Sequence, residues 1–118
     1  MIKRIYLAGA VTWLPYNEMY RQFFQAKQFL KDQGFDEVIN HCELIPRATS
    51  WTDAMLTLIT YLDKCNFLAL LPGYQLSNGA MCEYHYAKGM ESQGKLHAII
   101  HLNMGENFQY ATFAPKIK

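Results

Sequence analysis

Five consecutive apolar residues, Phe67-Leu68-Ala69-Leu70-Leu71, closed at once by Pro72 and Gly73, narrow most sharply what this chain can fold into. A strand with one wet face alternates apolar and polar residues. A strand covered on both faces does not, and an uninterrupted run of this length reads as the centre of a parallel sheet between helical layers. The flanking pattern agrees. Residues 3–8 read as a first strand closed by Gly9, and Asn17 is placed to cap a helix reaching about Gln33. Tyr20, Phe23, Phe24 and Leu30 form its stripe and Gly34 ends it. Residues 37–40 give a short second strand. Ser50-Trp51-Thr52-Asp53 has the Ser-x-x-acid form of a capping box. It opens a second helix to about Lys64, with Trp51, Met55, Leu58, Ile59 and Leu62 inward. A third helix runs from near Asn78 to Gly94, and residues 96–101 form a fourth strand. The order β-α-β-α-β-α-β predicts an α/β, three-layer parallel sheet of four to five strands with right-handed crossovers. Residues 102–118 show no clear period; they pack as a last strand or lie across a neighbouring subunit.

At 118 residues the expectation is a single domain, with its core over 3–101 and a tail over 102–118. The chain is 51% apolar and 14% aromatic, which excludes a disordered or low-complexity segment. Net charge is +1 with scattered basic residues, so nothing points to a nucleic acid polymer or an anionic membrane. Cys42, Cys65 and Cys82 contain no CxxC pair and suit reduced thiols. The apolar start is broken by Gly9 and reaches Trp13 and Pro15 without a cleavage region, so it reads as a strand and not a signal peptide. No stretch of about eighteen apolar residues exists. A soluble, cytoplasmic protein is the expectation.

In open parallel sheets ligands sit beyond the carboxyl ends of the strands, where the connection direction reverses. That selects three loops: 9–16, 40–49 and 72–79. Glycine in the first and third lets backbone N–H groups come close to a ligand, and the third leads into a helix N-terminus suited to an anion. On that helix Ala80, Glu83, Tyr84, Ala87 and Met90 share one face. An acid on a small, apolar stripe is costly unless it is used or satisfied, and burial raises its pKa. Glu83 is therefore the candidate for chemistry; a helix cap, a subunit contact or the adjacent tyrosines would equally account for it.

These residues carry a family resemblance. Residues 5–9 (Ile-Tyr-Leu-Ala-Gly), Asn40-x-x-Glu43-Leu44, Trp51, Pro72-Gly73-Tyr74, and Ser77-x-Gly79-Ala80-x-x-Glu83-x-x-x-Ala87 resemble a domain family of unknown function often met in bacteriophages. That family stands beside the nucleoside 2-deoxyribosyltransferases. The resemblance spans roughly 3–101 and implies their fold and chemistry on the N-glycosidic bond of a 2′-deoxynucleoside or nucleotide, with no metal or organic cofactor. In the transferases the Glu of Gly-x-x-x-Glu is the nucleophile on the anomeric carbon, which falls on Glu83. A carboxylate can capture an oxocarbenium-like sugar as an ester and release it to another base or to water. The first-strand tyrosine that holds this carboxylate corresponds to Tyr6, expected at the strand's carboxyl end. Gly9, Ser77, Asn78 and Gly79 would hold the sugar or phosphate. The resemblance also implies a homo-oligomer, as do Tyr84, Tyr86 and the aromatic tail.

Two positions depart from the transferases. Their second-helix Asp, which handles the nucleobase proton, is replaced by Leu58, leaving His41, Glu43 or Asp53 as substitutes. Their Asp six residues before the nucleophile, which meets the sugar 5′-hydroxyl, is replaced by Ser77, the residue found in related nucleotide N-glycosidases. A hydroxyl beside a helix N-terminus accepts a phosphate that an Asp would repel, so Ser77 points to 5′-monophosphates, although serine there can be only a cap. His97 and His101 lack a third ligand for zinc, and no G-x-G-x-x-G follows Gly9. Trp13, Tyr16 and Tyr74 lie on the candidate loops and could stack on a base or act as packing plugs. A binding module that has lost catalysis with the Asp, and a phage factor acting on a host protein, are the alternatives to an enzyme.

Overall fold

The computed structural model describes residues 2–10, 15–104 and 110–112. Five strands, β1 (Arg4–Ala8), β2 (Glu37–Ile39), β3 (Phe67–Leu70), β4 (Ala98–Met104) and β5 (Tyr110–Thr112), lie in the order β2-β1-β3-β4-β5. The first four are parallel and β5 runs antiparallel to β4. The expected layered α/β fold is thus present, and its fifth strand is an antiparallel addition. Four helices connect the strands: α1 (Tyr16–Asp32), α2 (His41–Leu44), α3 (Trp51–Leu62) and α4 (Asn78–Ser92). No helix among the described residues is long and apolar enough to cross a membrane.

The two-residue period of β1 divides the core. Ile5 and Leu7 pack with Met19, Phe23, Ala26 and Leu30 of α1 on one face of the sheet. Tyr6 and Ala8 face the opposite layer, where Leu58 and Leu62 of α3 meet Ala80, Ala87 and Met90 of α4. β3 lies between β1 and β4, and all four of its residues are buried, as an apolar run without alternation requires. The chain leaves β1 toward β2 on one side and returns to β3 on the other. Its direction switch therefore lies at the carboxyl ends of β1 and β3.

Local signals account for the element ends. Ser50 Oγ accepts from Asp53 N–H at 3.2 Å to start α3, and Ser77 Oγ accepts from Ala80 N–H at 3.2 Å to start α4. Gly34 and Gly94 take φ of +101° and +75° where α1 and α4 end, a backbone region that side-chain-bearing residues avoid. Five expectations need correction. Pro15, extended at φ −53° and ψ 145°, precedes α1 in place of a capping Asn17, and no side chain caps that helix. The buried α1 stripe is Met19, Phe23, Ala26 and Leu30; Tyr20 is 42% exposed. Trp51 is 55% exposed because it occupies the first turn of α3, ahead of the part that meets the sheet. Residues 41–44, expected as loop, form α2, and β4 starts at Ala98 and continues to Met104.

Gly9 follows β1 at the switch. A β-carbon there would sit 2.7 Å from Leu71 Cδ1 and 2.9 Å from Leu71 Cβ, while Leu71 N–H is bonded to the Ala8 carbonyl at 2.8 Å. The two strand ends are too close for a side chain. Gly9→Ala is expected to destabilise the fold by about 1–3 kcal/mol, read as a lower urea midpoint with the far-UV spectrum preserved.

Candidate functional site

A cleft of about 420 Å³ opens at the direction switch, within the roughly 300–1,000 Å³ usual for small-molecule sites. Its polar wall is the head of α4, with Ser77, Asn78, Gly79 and Glu83. Gly9 closes the strand end, His41 enters from α2, and Trp51, Ala54, Met55 and Leu58 of α3 form an apolar wall opposite. Gly79 permits this arrangement: a β-carbon there would lie 3.3 Å from Met55 Sδ and 3.6 Å from Trp51 Nε1. The heads of α3 and α4 thus converge on one opening.

Glu83 is 5% exposed, on the buried stripe with Ala80, Ala87 and Met90. Its partner is Tyr6, wholly buried, whose phenol donates a hydrogen bond to Glu83 Oε2. Tyr6 stands at the middle of β1 and not at its carboxyl end as expected, because the strand continues to Ala8, so the bond runs from the sheet to the buried face of α4. No cation forms an ion pair with Glu83 among the described residues. Burial pushes its carboxyl up to about 8, and the Tyr6 hydrogen bond opposes that rise. Tyr6 is raised well above its ordinary range by burial and then by the neighbouring Glu83 charge, so it remains a donor.

The head of α4 offers complementary donors. Asn78 and Gly79 lie in the first turn, where N–H groups lack intrahelical acceptors, and the helix dipole adds partial positive charge. Ser77 is 4% exposed; its oxygen caps Ala80, and its hydroxyl retains a proton to donate. Serine thus serves as the cap and also lines the cleft.

Of the three substitutes for the missing acid, only His41 lines the cleft. Asn40 sets it there by accepting from Cys42 N–H at 3.0 Å, which starts α2. His41 packs against Phe23, ring centres 6.1 Å apart, and its buried Nδ1 has no partner among the described residues. Burial lowers its pKa below the ordinary 6.5, so the imidazole is neutral at pH 7. Glu43 instead pairs with Lys27 at 2.6 Å, and Asp53 sits in the exposed first turn of α3. The aromatic candidates divide differently. Tyr16 lies under the Arg47 guanidinium at 4.1 Å, and Tyr74 packs against Tyr84 and His101. Trp13 lies outside the described residues. Among the described residues the phenyl and indole rings lining the cleft are those of Phe23 and Trp51, both read from sequence as core residues of helical stripes. No group of three or more His, Cys, Asp or Glu among the described residues is placed to hold a metal ion.

The chain belongs to the family described as domain of unknown function DUF4406, whose model matches residues 3–94. No curated protein matches it. Among solved structures it is similar to a 2-desoxiribosyltransferase from Leishmania mexicana, with a TM-score of 0.54 and 19% identity. The likeness covers 94% of this chain and 79% of that one. The fold is therefore that of the deoxyribosyltransferase-like proteins.

The buried carboxyl links stability to pH. With a native pKa of about 8 against an ordinary 4.5, native Glu83 keeps a proton that the unfolded chain has released between those values. Its contribution is present in full below about 4.5 and declines as pH rises, by on the order of 4 kcal/mol across the window. Denaturation of the wild type is expected to show this decline, and Glu83→Gln to flatten it. Tyr6→Phe removes the bond that opposes the rise, so the Glu83 carboxyl ¹³C resonance should titrate at still higher pH.

Proposed function

We propose that this protein cleaves or transfers the N-glycosidic bond of 2′-deoxynucleosides or their 5′-monophosphates, with Glu83 as nucleophile and Tyr6 as the residue that orients it. The observation that carries the reading is the buried Glu83 carboxyl, tied to Tyr6 and lining a cleft at the sheet's direction switch. A carboxyl burdened by desolvation is stabilised as an anion when positive charge develops next to it, and an anomeric carbon does this as its bond to the base stretches. Glu83 first gives its proton to solvent; the free carboxylate oxygen then attacks C1′, the base departs with the bonding pair and takes a proton from water, and a sugar ester forms on Glu83. Water or a second base then takes the sugar and returns the carboxylate. Tyr6 keeps one oxygen occupied, which presents the other to the sugar.

The helix head supports a phosphorylated substrate. Ser77, with the N–H groups of Asn78 and Gly79, forms a donor set suited to a phosphate dianion. Exposed Trp51 and Leu76 border the cleft, and self-association that completes its mouth belongs to the same proposal. It predicts a particle larger than one chain by light scattering. The second reading, a nucleotide-binding module without catalysis, draws on the α3 wall, which carries no acid facing Glu83.

Base release from a panel of 2′-deoxynucleosides and their 5′-monophosphates, followed by chromatography, separates the two. Release is expected in the wild type and at least about 10³-fold slower in Glu83→Ala. Ser77→Ala should raise KM for monophosphates more than for nucleosides. Tight binding with no Glu83-dependent release from any member of the panel would sink the enzyme reading in favour of the binding module.

A further inference from the structure

The cleft is chemically lopsided. One side has the Glu83 carboxyl and the donors of the α4 head; the α3 side is Trp51, Ala54, Met55 and Leu58. Nothing on the α3 side can hand a proton to a departing base, since the Trp51 indole N–H is not an acid near neutral pH. His41, the other titratable residue lining the cleft, is neutral at pH 7 and packs against Phe23. No lysine or arginine lines the cleft either, so its one ionisable anion has no resident counter-charge among the described residues.

From this asymmetry we infer that the preferred substrates carry a cationic aglycone, such as an N-alkylated purine or a pyridinium base. This rests on the proposed glycosidic cleavage and specifies its substrate class. A neutral base leaves well only if a proton reaches it as the C1′–N bond breaks, a contribution of roughly 10²–10⁴ that the α3 wall does not supply. A cationic base needs none. The bonding pair returns to the ring nitrogen, the positive charge of the ring is cancelled, and a neutral heterocycle departs. Glu83 forms the C1′–O bond in the same step. Water then adds at C1′, the carboxylate leaves with its electron pair, and one proton goes to solvent. The cation also serves binding: its charge favours ionised Glu83, and the exposed Trp51 indole offers a π-face to a flat, electron-poor ring.

The matched pair 2′-deoxyguanosine and 7-methyl-2′-deoxyguanosine tests this, together with a nicotinamide 2′-deoxyriboside, each as nucleoside and 5′-monophosphate. Background hydrolysis is subtracted by using Glu83→Gln in parallel. The expected result is kcat/KM at least about 10³-fold higher for both cationic substrates than for 2′-deoxyguanosine. In Leu58→Asp, which returns an acid to the α3 wall, cleavage of 2′-deoxyguanosine should rise about 10²-fold. The wild-type ratio decides the matter if that variant fails to fold. Cleavage of 2′-deoxyguanosine within tenfold of its methylated partner, Glu83-dependent in both, overturns the inference and leaves glycosidic cleavage standing. No Glu83-dependent cleavage of any of the substrates overturns both.

Discussion

A carboxyl group can be kept inside a protein only if something there meets its polarity, and in this fold that something is the Tyr6 phenol. The bond joins the middle of β1 to the buried face of α4, across seventy-seven residues of sequence. An unpartnered acid at 5% exposure would cost several kcal/mol, so the position of α4 over the sheet and the presence of Glu83 on it are mutually dependent. The surroundings serve the same end. Ala80 and Ala87 are small enough to bring the helix close to the strands, and Gly9 lets the ends of β1 and β3 pass without a side chain between them. The architecture delivers two distant groups to one point and leaves one side of that point open as a cleft.

The layer order was legible in the chain because its signals are local and periodic. The unbroken run 67–71 becomes the buried β3, and the hydroxyls of Ser50 and Ser77 cap the helices that follow them. Glu83 could be singled out from its spacing against Ala80, Ala87 and Met90. The parts that were not legible depend on longer range. Four residues are too few to show a helical period, so α2 and the entry of His41 into the cleft were hidden. Trp51 and Tyr20 obey the helical period, yet both are exposed. Periodicity tells which way a side chain points from its own axis, and not whether another element covers it there. The candidate residues Gly9, Ser77, Asn78, Gly79 and Glu83 all line one cleft, and Tyr6 donates a hydrogen bond to Glu83.

Leu58 connects the fold to the proposed chemistry. As a buried leucine it fills the α3 layer against the sheet and costs nothing in desolvation. The same choice leaves the α3 side of the cleft without a proton donor. In the proposed mechanism, core packing and leaving-group chemistry are therefore set by one side chain, and the proposed substrate class follows from what that side chain lacks. Ser77 shows a parallel economy, since the oxygen that caps α4 belongs to a residue that also lines the cleft.

The central claim is that Glu83, held by Tyr6, forms a bond to the sugar. Intact-protein mass spectrometry of acid-quenched mixtures with a 2′-fluoro-2′-deoxynucleoside, whose fluorine slows loss of the glycosyl group, tests it directly. The account predicts a single added fluorodeoxyribosyl mass, mapped to Glu83 by peptide sequencing and missing from Glu83→Gln. Turnover of the parent substrate with no adduct, or an adduct on another residue, would contradict it.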